Sequence, residues 1–515
     1  LKMTDQLWDH GNEMITVANV SDETLSLARE LSSGRKPPKE TISKVEDQVN
    51  KIQANEMNES KLWDHQIKTI NDWEEASYSG LVKHATASGK TLTALFALRR
   101  HLIKYSSALI LVPTKALLDQ WYEEVQKIIP DAQIMRAGTG HEGWKRESSL
   151  AIFTRESEDQ TKKKILIAIN NTARSQDFLL NLSDNQKLFV IADEVHNLGS
   201  KENSKIFNIN TTVKLGLSAT PERYFDPEGT TRIFDFFGEI LPTTYDLEQG
   251  IEEGRLVPYD YYPETVRLKP SEQDDFDETS DEIRRLAARC PRDVNDNIIT
   301  SKQLQLMIFE RSRIIKKAEN KIGSALRILQ EHYQTSEQWL VYCESKEQVD
   351  KLINVLNNQG FDPFVYHSDL NPKERKGALS RFKSTGGVLL SIKCLDEGVN
   401  IPSTTHALIM ASDQNPRQFI QRRGRVLRKD KESEKTHATI FDLMVSTDGF
   451  YSDEMKNFVK TELHRAYTFA ANSRNNILSR SKIDSIATMC GLELDQTFDL
   501  SEDKDNIYDV EEDME

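Results

Sequence analysis

Residues 84–91 read HATASGKT and end as a phosphate-binding loop ends, with Gly89, Lys90 and Thr91. A tight turn that opens a helix presents backbone N–H groups to phosphate oxygens, and Ala87, Ser88 and Gly89 would form that cradle. Lys90 would reach the β and γ phosphates of a bound nucleotide, and the Thr91 hydroxyl would ligate Mg²⁺. His84 stands where the pattern normally begins with glycine, and Ala87 replaces another common glycine. The loop alone therefore leaves a chance match open. A second group decides between the two readings. Asp193-Glu194-Val195-His196 follows the apolar run KLFVI. Two adjacent carboxylates at a strand end repel unless positive charge is near, and Mg²⁺–ATP supplies it. Asp193 would hold the metal; Glu194 would orient and deprotonate the attacking water. The third group is QRRGRVLR, 421–428. Arg425 and Arg428 lie three residues apart, so a helix would put them on one face. Their forked, permanent charges suit the oxygens of a transferring phosphoryl group.

These groups need elements to hold them. From about residue 60 short apolar runs alternate with helical patterns: SALILVP (107–113), KILIAI (164–169), KLFVIAD (187–193) and VKLGLSA (213–219). Buried parallel strands with crossover helices have this texture. It fades near 245 and resumes with QWLVYCES (338–345), FDPFVYHS (361–368), GGVLLSIK (386–393), THALIMAS (405–412) and HATIFDL (437–443). The expected organisation is a helical N-terminal segment (1–58), with SDETLSLARELSS as a capped helix, a first α/β domain (59–245) and a connecting insert (246–310). A second α/β domain (311–445), a helical extension (446–490) and an acidic, solvated tail (491–515) complete it.

The order ATASGKT, VPTKALLDQW, IADEVHNLG, LSATPER resembles motifs I, Ia, II and III of the first RecA-like domain of superfamily 2 helicases and translocases. The fold this implies is two tandem RecA-like domains with parallel sheets. The resemblance implies that Ser218, Ala219 and Thr220 couple hydrolysis to strand binding, and that Thr114, Lys115 and INNTARS (169–175) lie near the nucleic-acid backbone. LWDHQIKTINDW (62–73) resembles the adenine-reading region, with Gln66 the reader. QRRGRVLR resembles motif VI, so Arg425 and Arg428 match its arginine fingers, and Gln421 and Arg422 would contact motif II or the nucleotide. SIKCLDEGVNIPS (391–403) resembles motif V. There Gly398 would permit close backbone approach and Asn400 would face ribose or the domain interface, while Cys394 replaces a common small hydroxyl residue. VYCESKEQVDKL (341–352) resembles motif IV, with Cys343 read as a packed strand residue.

DEVH together with DEGVNIP resembles the branch of restriction-enzyme motor subunits and DNA-repair translocases, many of them in prokaryotic defence systems. That implies an ATP- and Mg²⁺-dependent DNA helicase or duplex-DNA translocase, gripping the backbone of single- or double-stranded DNA without sequence readout. An RNA helicase is the runner-up. A non-translocating clamp or recruitment subunit of a nuclease complex is the third reading, since no nuclease centre is legible and cleavage would need a partner.

Bulk properties agree. The 515-residue chain carries a net charge of −15, which excludes a uniformly basic coat but not a local basic groove. Its four cysteines are widely spaced and form no Cys-x-x-Cys pair, which fits a reducing, intracellular compartment; the resemblance implies the prokaryotic cytosol. No apolar run reaches membrane-span length and the N-terminus is too polar for a signal peptide. In the extension, His464, Arg465, Tyr467, Phe469, Arg474, Arg480 and Lys482 interleave basic and aromatic residues. Packing on the second domain is the preferred reading over base stacking.

Overall fold

The computed structural model describes residues 62–157, 159, 161–223, 226–292, 301–367, 369–392, 403–411, 424–429, 435–446 and 452–494. The chain divides at Asp64, and the unit from His65 onward holds both sheets. The expected helix at 21–33 and the acidic tail beyond 494 lie outside the described residues.

The first sheet has the order β1-β6-β5-β2-β4-β3. Its strands are β1 (Ser79–Lys83), β2 (Ser107–Val112), β3 (Gln133–Ala137), β4 (Lys164–Ile169), β5 (Phe189–Asp193) and β6 (Val213–Ser218), all paired in parallel. β2, β4 and β5 are buried along their whole length, as strands covered by helices on both faces must be. Parallel pairing brings every strand's C-terminal end to one edge. The loop after β1, the start of the Lys115–Ile128 helix after β2, Asp193 after β5 and Ser218 closing β6 therefore converge there.

The second sheet has the order β7-β12-β11-β8-β10-β9, again all parallel. β8 (Gln338–Cys343), β9 (Phe364–Tyr366), β10 (Gly387–Ile392), β11 (His406–Ile409) and β12 (Ala438–Val445) coincide with the five expected runs. β7 (Tyr259–Val266) corrects the expected boundaries. It pairs with β12 from Tyr259↔Ala438 to Val266↔Val445, so residues assigned to a connecting insert build the second sheet. Its sequence YDYYPETV contains Pro263 and alternates in burial, as an edge strand does, and so offers no continuous apolar run. The helices Pro270–Ala287 and Lys302–Lys316 then form an excursion from within this domain.

The C-terminal helices Asp453–Ala471 and Asn476–Met489 are part of the same core: Met455, Phe458, Leu463, Phe469, Ile483 and Ile486 are buried with Tyr259, Tyr261 and Ile440. The turn between them covers the free edge of β7. Arg474 N donates to Tyr259 O (2.8 Å), and the Asn475 amide accepts from Tyr261 N (2.9 Å) and donates to Tyr261 O (3.0 Å). A side-chain amide thus completes the ladder that an exposed edge would leave open. Of the interleaved residues of this segment, His464, Arg465 and Phe469 are buried, as the packing reading expects, while Arg474 and Lys482 are exposed. Arg465 is buried in an ion pair with Asp442 (2.7 Å) and Glu462 (3.1 Å), and Phe469 stacks on Tyr261 at 5.2 Å.

Candidate active site

The loop 84–89 leaves β1 and enters the Lys90–Lys104 helix through Gly89, whose φ of 80° lies in the left-handed region where glycine carries no Cβ penalty. Ala87 is also left-handed, at φ 66°, without that freedom. The loop is braced from below. Gln66, buried on the Asp64–Glu75 helix, donates its amide to Ser88 O (3.2 Å) and Gly89 O (3.2 Å). His65 Nε2 lies 3.1 Å from Ser88 O, and its ring stacks on Tyr245 at 3.8 Å.

His84, at the position of the missing glycine, is fully buried. Its Nε2 lies 3.1 Å from Thr243 O and 3.2 Å from Thr69 Oγ1. Thr69 spends its hydroxyl hydrogen on His65 O (2.7 Å), so the proton belongs on Nε2 of His84. Burial, opposed by the Thr243 carbonyl, pushes the imidazole down to about 3, so it is neutral at physiological pH. His84 therefore replaces a flexible loop residue with a cross-tie between β1 and residues 243–245.

Lys90 donates to His84 O (2.9 Å) and Ala85 O (3.1 Å), so its ammonium sits inside the curl of the loop. Burial lowers its pKa, while Glu194 and Asp193 raise it and Arg428 lowers it. Lys90 thus feels charges from both domains. Asp193, 7% exposed, ends β5. Its Oδ2 accepts from the indole Nε1 of Trp121 (2.8 Å) and its Oδ1 from Glu194 N (3.0 Å). Burial pushes its carboxyl up, and the indole N–H and Lys90 pull it back. Glu194 is left-handed at φ 45°, ψ 55°, an uncommon conformation that aims its side chain off the strand end. His196 Nδ1 lies 3.1 Å from Ser218 Oγ and 3.6 Å from Glu194 Oε2, and Ser218 Oγ accepts from Thr220 N (3.0 Å). DEVH and SAT are therefore one hydrogen-bonded unit. Arg223 anchors it, donating to His196 O (2.9 Å) and Asp226 (2.7 Å).

From the second domain, Gly424 comes so close to the loop that a Cβ on it would overlap the Thr86 hydroxyl. Gly424–Val426 is helical, but Arg428 lies beyond that turn, in a backbone bridge to Leu256. The expectation of one helical face for Arg425 and Arg428 is corrected accordingly: a turn links them, Arg428 N to Arg425 O (3.4 Å). Desolvation and the charge of Arg425 push Arg428 down to about 10, still cationic at neutral pH. Lys435, buried, donates to Val426 O (2.6 Å) and Arg428 O (3.0 Å) and fixes the segment's backbone.

Lys90, Asp193, Glu194 and Arg428 thus share one electrostatic neighbourhood. Thr91 is half-buried in the first turn of its helix. Thr114 caps the Lys115–Ile128 helix, accepting from Leu117 N (3.3 Å), and Lys115 is exposed. Ala219 is half-buried and Thr220 buried. In INNTARS, Asn170 is buried and Arg174 donates to Asn203 Oδ1 (3.0 Å). Gly398, Asn400, Gln421, Arg422 and Cys394 lie outside the described residues. Sequence reasoning missed Trp121, Arg223, Gly424 and Lys435. Trp121 and Arg223 sit inside the quoted motifs VPTKALLDQW and LSATPER, but their partners are distant in sequence.

Comparison with known proteins fits this geometry. Residues 59–223 match the family described as Type III restriction enzyme, res subunit, and residues 320–430 match the Helicase conserved C-terminal domain. The DNA 3'-5' translocase XPB2 of Sulfurisphaera tokodaii is 26% identical over 398 residues, covering 72% of this chain and 80% of its own. The putative DNA 3'-5' helicase Rad25 of Haloarcula marismortui is 26% identical over 377 residues, covering 72% and 50%. The structure of an ATP-dependent Type ISP restriction-modification enzyme bound to DNA has a TM-score of 0.53 at 15% identity, covering 83% of this chain and 30% of that one, and speaks to the fold. Each of the two family matches falls on one of the two sheets, and the chain is a superfamily 2 helicase of the branch holding restriction-enzyme res subunits and XPB/Rad25-like proteins, a nucleic-acid-dependent ATPase.

Proposed function

We propose that this ATPase is a DNA helicase or duplex-DNA translocase. The observation that carries the reading is that the second domain's Gly424 closes against Thr86 of the loop, beside Lys90, Asp193 and Glu194 of the first. The names of the archaeal relatives, a DNA translocase and a DNA helicase, support DNA as the track.

The site fits Mg²⁺. Thr91 and Asp193 offer the hard oxygen donors it prefers, and a dication would hold the buried Asp193 ionised. The buried hydroxyls of Thr86 and Ser88 have no hydrogen-bond partner among the described residues, so the loop has polar atoms to offer a nucleotide. When bound, Mg²⁺ neutralises charge on the phosphates and orients them. The chain's own residues do the rest. Backbone N–H groups of 87–91 and the Lys90 ammonium bind the phosphates. Glu194 takes the proton of the attacking water. Arg425 and Arg428 stabilise the charge that spreads over the transferred phosphoryl group. Gln66 acts by bracing the loop that it donates to. His196, Ser218 and Thr220 carry the state of the acidic pair toward Thr114 and Lys115 on the DNA side. Gly398, Asn400 and Gln421 complete the second domain's contribution. ATP closes the two domains, and product release lets them part, advancing one along the strand.

The res-subunit match supports a restriction-type setting; a nuclease partner in an antiviral defence, restriction or repair system of a prokaryotic cytosol completes this reading. ATPase rates measured side by side with single-stranded DNA, duplex DNA and RNA test the track, and strand displacement beside triplex displacement separates unwinding from translocation. Stimulation by DNA of at least about tenfold over RNA is expected; the reverse preference would make it an RNA enzyme.

A further inference from the structure

Trp121 is fully buried on the Lys115–Ile128 helix and spends its indole N–H on Asp193 Oδ2 at 2.8 Å. An indole nitrogen can only donate, and burying it costs free energy unless an acceptor is supplied. An aliphatic or phenyl side chain would fill a core site without that demand. The second oxygen of Asp193 is held by Glu194 N, so two donors on different elements fix the carboxylate plane. The helix that carries Trp121 begins at Thr114 and Lys115, directly after β2, and β2 pairs with β5, the strand that ends in Asp193. Seven residues separate Thr114 from Trp121, two helical turns or about 10 Å along one rigid rod.

We propose that Trp121 is a positioning residue for the metal site: its N–H sets the Asp193 carboxylate for the divalent cation, and its helix links that carboxylate to the DNA-gripping end of the domain. This rests on Asp193 being the metal carboxylate. Hydrogen bonds behind a metal ligand fix its orientation, and their loss typically weakens metal binding about 10- to 100-fold. A displacement of the helix by DNA at Thr114 and Lys115 moves the indole, and the carboxylate follows.

The test uses the full chain with ADP and Mn²⁺, free Mn²⁺ being read by electron paramagnetic resonance. Two replacements are compared with wild type: Trp121→Phe, and benzothienylalanine at position 121, which keeps the ring shape and removes only the N–H. The second decides the matter if the first fails to fold. The expected result is Mn²⁺ binding weakened about tenfold or more, with metal-free ADP affinity unchanged. Single-stranded DNA should tighten Mn²⁺ binding in wild type and not in the benzothienylalanine protein. Wild-type Mn²⁺ affinity, with its DNA response intact, in the benzothienylalanine protein overturns the role of Trp121 alone. Absence of Mn²⁺ binding by wild type with ADP overturns the metal assignment of Asp193 and this proposal with it.

Discussion

Ala87 offers a perturbation whose sign is unusual. It holds φ 66° in a loop where a glycine is common, and a Cβ in the left-handed region costs about 1–2 kcal/mol. Ala87→Gly removes that cost but loosens the unfolded chain, which takes back about 0.4–1 kcal/mol. The balance is a stabilisation of about 0.5–1 kcal/mol. Ala116→Gly is the matched control: the same atoms removed from an exposed position of the Lys115–Ile128 helix, where glycine costs about 0.5–1 kcal/mol. With a urea slope of about 2 kcal/mol per molar, the two midpoints should move in opposite directions by about 0.3–0.5 M each. Tryptophan fluorescence is a suitable probe, because four of the six tryptophans, Trp63, Trp73, Trp121 and Trp144, lie in the first domain and one, Trp339, in the second. Equal downward shifts for both substitutions would refute the reasoning, since Ala87 would then carry no strain.

Gly424→Ala should lower kcat at least about tenfold by keeping the arginine turn off the loop, while ATP binding to the first domain persists; Thr86→Gly in the same chain should restore part of the rate. Acid should destabilise the first domain. His84 and His101 are held at about 3 and about 4, below the ordinary 6.5, so their contribution is complete above pH 6.5 and falls as pH drops toward 4. At pH 5 each costs about 2 kcal/mol, which urea midpoints between pH 8 and 5 will register, and His84→Asn should remove about half of the loss.

The sequence was most legible where burial is two-sided. Nine of the twelve strands lie in the runs read from the sequence, most clearly those covered on both faces, which cannot carry polar residues. The three outside those runs, β1, β3 and β7, all stand at sheet edges. β3, QIMRA, is only partly buried, and β7 mixes tyrosines with Asp260 and Pro263. Missing β7 misplaced the start of the second domain. The site was legible wherever charge and order coincide, as at Lys90, Asp193, Glu194 and the arginines. The indole of Trp121, the guanidinium of Arg223 and the ammonium of Lys435 escaped, because each acts on a backbone or carboxylate atom that only the fold brings near. His84 looked like damage to a glycine position. Its environment shows a neutral cross-tie instead, and nothing in the residue type announces that.

The central claim is that Lys90, Asp193, Glu194 and the arginines form one ATP-cleaving centre driven by DNA. The direct measurement is steady-state ATP hydrolysis with and without DNA for wild type, Lys90→Ala and Glu194→Gln. The account predicts DNA-stimulated turnover in wild type and a loss of about 10²-fold or more in Glu194→Gln, the size of a general-base contribution, with Lys90→Ala equally silent. Wild-type rates in either variant would contradict it.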